Sequence, residues 1–133
     1  MLFFGKKVYT LLVLVLVIFT SEYGSCDNMS ISSGSIYFIN PAELDSIKIA
    51  ATSGSKEAAI RLYHYYSFSM MNETESEHWL KVAADLGDPV SQYNLAQFYL
   101  REEDSKNALI WAKLSLTNGV EESKEIIDEI EGR

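Results

Sequence analysis

Cysteine occurs once in the 133 residues, at Cys26, so no disulfide can form within the chain. Proline occurs twice, at Pro41 and Pro89, which leaves nothing to forbid long helices between and beyond them. Histidine is as scarce: neither His64 nor His78 has a second His or a Cys at a ligand spacing, so no zinc site and no cofactor is expected. A Gly-rich phosphate loop, a nucleophile elbow and a paired His–carboxylate signature are all missing, and the chain is read as a non-enzyme. Positive charge is also short. The 11 Lys and Arg stand against 19 Asp and Glu, and setting aside Lys6, Lys7 and Glu22 with the first 26 residues leaves 9 against 18. Such a surface repels a nucleic-acid backbone and suits a basic protein partner. Glu102-Glu103-Asp104 and Glu121-Glu122 are read as solvated turns.

What the chain does have begins with an export signal over residues 1–26. Lys6 and Lys7 form a positive start, and residues 8–19 are a 12-residue apolar run, long enough for a signal core and short of the roughly 17–25 residues that span a bilayer. Gly24-Ser25-Cys26 supplies small residues for cleavage after Cys26. Tyr23-Gly24-Ser25-Cys26 also resembles a bacterial lipoprotein box, which implies lipidation of Cys26 and an anchored mature chain, with Tyr23 departing from the usual Leu. Both readings export the protein, to the periplasm or to a membrane facing it. Residues 27–39 are Ser-rich and poor in helix formers, so they are expected to be a flexible tether, with residues 36–39 able to fold back on the first helix.

The remainder, residues 40–133, repeats itself. Under a shift of 33, Ala50-Ala51 falls on Ala83-Ala84, Gly54 on Gly87, Leu62 on Leu95, Tyr65 on Phe98 and Tyr66 on Tyr99; under a shift of 32, Trp79 falls on Trp111, Lys81 on Lys113 and Gly87 on Gly119. A period in the low thirties with two helices per period marks an αα-solenoid of about three helix pairs. Gly54, Gly87 and Gly119 each close an apolar-periodic segment, as a left-handed helix end requires. Asn40 with Pro41 and Glu43, the run Thr74-Glu75-Ser76-Glu77, and Asp104 or Ser105 are helix starts. Helices are predicted at about 41–53, 56–70, 75–86, 89–101, 105–117 and 120–131. Val90, Tyr93, Leu95, Ala96 and Tyr99 are expected on the core side of the fourth, and Trp79, Leu80, Val82, Ala83 and Leu86 on that of the third.

Residues 77–99, EHWLKVAADLGDPVSQYNLAQFY, resemble the Sel-one-like repeat (SLR) family: Trp79, Leu80, Lys81, Ala83, Ala84, Gly87, Asp88, Pro89, Leu95 and Tyr99 match its pattern, Ser91 stands for its small residue, and Ala96 replaces a Gly. The family's Gly-x-Gly-Val loop is absent. Ser-Met-Met-Asn-Glu-Thr at 69–74 and Arg-Glu-Glu-Asp at 101–104 stand in its place, and Tyr63 occupies a tight Gly position. The resemblance implies an all-α, right-handed, curved stack of hairpins that binds protein or peptide on its concave face.

By that resemblance the first helix of each pair lines the concave face, which makes Arg61, His64, Tyr65 and Phe68, with Asn94, Gln97, Phe98 and Arg101 one repeat later, the candidate contact surface. The expected function is an exported protein–protein interaction module of the bacterial envelope, such as an immunity or inhibitor protein binding a secreted effector. A secreted hydrolase and a structural spacer are the competing expectations.

Overall fold

The computed structural model describes residues 35–132; the leader, Cys26 and the first part of the tether lie outside them. Among the described residues there are six α-helices and no strands: α1 (Pro41–Thr52), α2 (Lys56–His64), α3 (Glu73–Asp85), α4 (Pro89–Arg101), α5 (Ser105–Thr117) and α6 (Ser123–Glu131). A short 3-10 turn, Ser35–Tyr37, precedes α1, and α2 runs on into a π-helical turn, Tyr65–Ser69. Each helix packs against the next in sequence, and α4 also touches α6. The fold is all-α.

The helix starts are side-chain caps on otherwise orphaned N–H groups. Asn40 Oδ1 accepts from the Ala42 N–H at 3.0 Å, Asp88 Oδ2 from Ser91 at 2.7 Å, and Asp104 Oδ1 from Asn107 at 3.1 Å. Such a cap is worth about 1 kcal/mol. The start expected at Thr74 is displaced: Asn72 Oδ1 accepts from the Glu75 N–H at 3.1 Å, so α3 begins two residues earlier. The last helix starts later than expected, at Ser123, because residues 120–125 first wind through tighter bonds, Ser123 N–H to Val120 O at 3.2 Å and Lys124 N–H to Glu121 O at 3.0 Å.

Three corners share one construction. Gly54, Gly87 and Gly119 have φ of 101°, 83° and 98°. At each, the residue after the glycine donates to a carbonyl five positions back (Ser55 to Ala50, Asp88 to Ala83, Val120 to Ser115), and the glycine itself donates three positions back. This double bond pattern closes a helix end. At the two alternate corners, Met71 (φ 49°) and Glu103 (φ 59°) hold the left-handed conformation without being glycine.

The core runs through the stack as three adjoining clusters. Ile39, Ile47, Ala51, Ala59, Leu62, Tyr65, Tyr66, Trp79 and Ala83 are buried between α1, α2 and α3. Leu80, Ala84 and Leu95 follow between α3 and α4, then Ala96, Ala112, Ile126 and Ile127 between α4, α5 and α6. Fully burying a Leu side chain contributes about 1.5–3 kcal/mol, so these contacts outweigh the three exposed ion pairs, each worth about 0–1 kcal/mol. A polar clamp ties corners together: buried Gln92 donates to Ala84 O at 3.1 Å and accepts from Asn118 at 2.8 Å, while Ser115 Oγ donates to Pro89 O at 2.8 Å.

Two expectations are corrected. The end of the expected tether, where residues 36–39 were expected to be able to fold back, is packed rather than flexible: Ile39 is fully buried and Tyr37 rests on α2, which hold residues 35–39 as a strap. Val90 is exposed rather than core. The buried stripe of α4 is Ser91, Gln92, Leu95 and Ala96, and Val90 falls on the opposite side of the helix, four residues before Asn94.

Candidate functional site

On α4 the face opposite that stripe carries Asn94, Gln97, Phe98 and Arg101, spaced i, i+3, i+4, i+7. Across from it stands the first half of α3. Between them lies a groove of about 630 Å³, lined on the α4 side by those four residues with Glu102, on the α3 side by residues of 73–80 including Glu73, Glu77 and Leu80, and at one end by Tyr63 of α2.

The groove mixes aromatic, amide and charged groups. Phe98 packs edge-on to Tyr99 with centroids 5.6 Å apart. The Arg101 guanidinium and the Lys81 ammonium each lie 5.9 Å from the Phe98 ring centroid, within reach of a cation–π attraction. Lys81 is hydrogen-bonded to Glu77, which raises its pKa and keeps it charged. The Gln97 amide donates to the Tyr93 hydroxyl at 2.7 Å, fixing its orientation. Burial pushes the Tyr63 hydroxyl up from its ordinary pKa, so it is a neutral donor and acceptor at the end of the groove. Three carboxylates, Glu73, Glu77 and Glu102, line the groove against the single guanidinium of Arg101. The arrangement can hold a polypeptide segment, and its excess of carboxylate suits cationic side chains.

The eight contact residues expected from the sequence divide. Asn94, Gln97, Phe98 and Arg101 come together in the groove; Arg61, His64 and Phe68 stay on the α2 side and do not line it. Arg61 is exposed and pairs with Glu43 of α1 at 3.5 Å, a surface contact of small worth. His64 sits in an aromatic cluster, 4.8 Å from Tyr37, 5.2 Å from Tyr63 and 5.8 Å from Phe68 between ring centroids, and desolvation there lowers its pKa, with Asp88 opposing. Phe68 is partly covered by Tyr37, ring centroids 5.0 Å apart. Tyr65 is a correction: it is 5% exposed, packed edge-on to Tyr66 at 5.0 Å, and belongs to the core. Its position at the start of the π turn puts its ring inward, whereas its repeat equivalent Phe98 reaches the groove.

Sequence reasoning missed the α3 wall. Glu73 and Thr74 end the segment that stands in place of Gly-x-Gly-Val, Ser76 and Glu77 follow it, and the presence of bulky Tyr63 where a tight Gly was expected was the signal that the neighbouring helices stand apart there. Ser67 Oγ of the π turn and Ser76 Oγ of α3 lie 2.6 Å apart and join the two elements beside the groove. Among the described residues no three His, Cys, Asp or Glu side chains gather as a metal site would require.

No protein-family model matches the chain, and no solved structure matches it. It is similar to the uncharacterized protein YibG of Escherichia coli (strain K12), at 27% identity over 111 residues that cover 78% of this chain and 72% of that protein.

Proposed function

We propose that this chain is an exported protein-binding module of the bacterial envelope, built as a short αα-hairpin solenoid of the Sel-one-like kind, whose groove between α3 and α4 holds a basic segment of another protein. The observation that carries this is the groove itself, about 630 Å³ and lined by Phe98, Gln97 and Asn94 with three carboxylates against one guanidinium. The solenoid reading is supported by the three glycine corners at spacings of 33 and 32 residues with the same backbone bonds, and by the ordering of contacts from each helix to the next. Export is supported by the positive start and the apolar run of residues 8–19.

The groove makes the electrostatic part of the proposal testable. A photo-crosslinking amino acid is placed at Gln97, or at Glu121 before α6 as a control, in the otherwise unaltered full chain in a bacterial host. The expected result is a protein adduct at Gln97 with the attachment in a Lys- or Arg-bearing segment, absent at Glu121. Reversing Glu73 and Glu102 to Lys in the Gln97-labelled chain is expected to reduce the adduct at least tenfold, because charge complementarity at the groove becomes repulsion. Equal adducts at both positions, or indifference to the charge reversal, sink the reading.

A further inference from the structure

Met71 is unfavourable to the fold on two counts. It is 83% exposed, the most of any large apolar side chain among the described residues, and its φ of 49° is a left-handed backbone that a side chain disfavours. The corner one repeat later meets the same backbone demand (φ 59°) with Glu103, a side chain that water solvates. Phe68 and Met70 are exposed beside Met71, and residues 65–72 contain no charged residue in a chain of net charge −8. Left-handed backbone at a bulky residue and gathered apolar exposure both concentrate where a surface meets a ligand. Met71 walls a cavity of about 260 Å³ with Tyr66, Ser67, Asn72, Glu73 and Ser76. Glu73 and Ser76 also line the groove between α3 and α4, so the cavity and the groove adjoin at the start of α3.

The chemistry of the cavity says what it takes. It is smaller than the roughly 300–1,000 Å³ of a small-molecule site and suits one side chain. Its polar groups are engaged within the protein: the Ser67 and Ser76 hydroxyls bond each other at 2.6 Å, and the Asn72 side chain caps α3. What remains is the ring of Tyr66, the flexible thioether of Met71 and, at the border with the groove, the carboxylate of Glu73. The Lys48 ammonium already lies 5.6 Å from the Tyr66 ring centroid, so a second cation is disfavoured there and an apolar group is not. Building on the groove as a protein-binding site, we infer that the basic segment it holds runs past the start of α3 and seats a large apolar side chain between Met71 and Tyr66. Because Glu73 borders both spaces, the basic residue opposite it and the apolar residue are close neighbours on the segment, within about three positions at roughly 3.3–3.6 Å each. The partner is thus recognised by two adjacent elements, a Lys or Arg and a Leu, Ile, Met or Phe.

The test pans a phage-displayed library of random dodecapeptides on the immobilised full chain, on its Met71→Gly variant, and on the chain with Glu73 and Glu102 reversed to Lys. Glycine adopts the left-handed corner freely, so Met71→Gly removes the side chain and leaves the backbone relaxed, with far-UV circular dichroism expected unaltered. On the unaltered chain, peptides that pair Lys or Arg with Leu, Ile, Met or Phe within about three positions are expected to be enriched about fivefold over the library. On Met71→Gly the basic preference is expected to stay and the apolar preference to fall to the library frequency; on the charge-reversed chain the basic preference is lost. Basic peptides without an apolar preference overturn the inference and leave the groove reading standing, and so does an apolar preference that persists on Met71→Gly. No basic enrichment on the unaltered chain, or one that survives the charge reversal, refutes the groove reading itself and the inference with it.

Discussion

Deleting one residue from inside a helix ordinarily rotates everything beyond it by about 100° and ruins the packing. Deleting Ser69 is expected to do nothing of the kind. The first corner-to-corner interval, Gly54 to Met71, is 17 residues, and the second, Gly87 to Glu103, is 16. The equivalences place the extra residue: Tyr65 and Tyr66 match Phe98 and Tyr99 under a shift of 33, whereas Met71 matches Glu103 and Trp79 matches Trp111 under a shift of 32. It lies in the π turn. Asn72 N–H bonds to Tyr66 O six positions back, and its equivalent Asp104 N–H bonds to Tyr99 O five back; Met70 bonds to Tyr65 five back, and Glu102 to Phe98 four back. The π turn is therefore the form in which the helix absorbs a one-residue insertion, and the deletion leaves each of these bonds its partner.

The magnitude follows from what is lost and what is released. Ordering one residue costs about 1–2 kcal/mol, which the deletion returns. Against it stand the interaction that Ser69 itself makes, the 2.6 Å Ser67–Ser76 contact and the Tyr37–Phe68 ring pair, about 1 kcal/mol each at most if all are disturbed. The Ser69 deletion is expected to fall within about 2 kcal/mol of wild type in urea unfolding followed by circular dichroism. Deleting Leu100 from the regular end of α4 is the control. It removes a packed side chain, worth about 2–3 kcal/mol, and misplaces the Asp104 cap, and is expected to cost about 4 kcal/mol or more. If the two deletions cost the same, the π turn is not an absorbed insertion and the register argument fails.

Three further outcomes follow from single sites. Ser123 Oγ is fully buried with no hydrogen-bond partner, so Ser123→Ala is expected to stabilise by about 1 kcal/mol in the same urea assay, and a loss contradicts the missing partner. Gly87 has φ 83° and open space where a Cβ would stand, so Gly87→Ala has a backbone cost only: about 1–2 kcal/mol of left-handed strain, reduced by the smaller entropy of the unfolded chain to a net loss of about 1 kcal/mol. The folded pKa of His64 is below its ordinary 6.5, so the unfolded chain binds the proton more readily; stability is complete above pH 6.5 and declines as pH falls below it. Wild type is therefore expected to lose more melting temperature between pH 7.5 and 5.5 than His64→Gln does, and equal losses remove His64 from the acid response.

Much of the fold was legible because its signals are local. Gly54, Gly87 and Gly119 announce left-handed corners, and Asn40 and Asp104 announce caps. What was not legible depends on neighbours distant in sequence. Gln92 carries no local signal of its burial, which depends on Ala84 O and the Asn118 amide satisfying it. Residues 35–39 were expected within the tether, with 36–39 able to fold back on the first helix, and they are folded because His64 of α2 and Phe68 of the π turn meet Tyr37. Half of the candidate surface lines the groove for a related reason. Asn94, Gln97, Phe98 and Arg101 follow the regular period of α4, whereas the irregular end of α2 turns Tyr65 inward and leaves His64 and Phe68 in contact with Tyr37 of the strap.

The same irregularity explains why the open groove lies in the middle of the stack. In the first repeat, His64 and Phe68 are the equivalents of Gln97 and Arg101, and they are taken up by Tyr37. At the other end, α6 places Ile126 and Ile127 against α4 and α5 and turns Lys124, Glu125, Asp128 and Glu129 outward, which closes the core with a polar surface as a terminal helix of a stack must. Between these ends the face of α4 keeps its i, i+3, i+4, i+7 row opposed by a second wall, the first half of α3. At one end Tyr37 covers part of the α2 face, at the other α6 presents charge, and the groove between α3 and α4 lies between them.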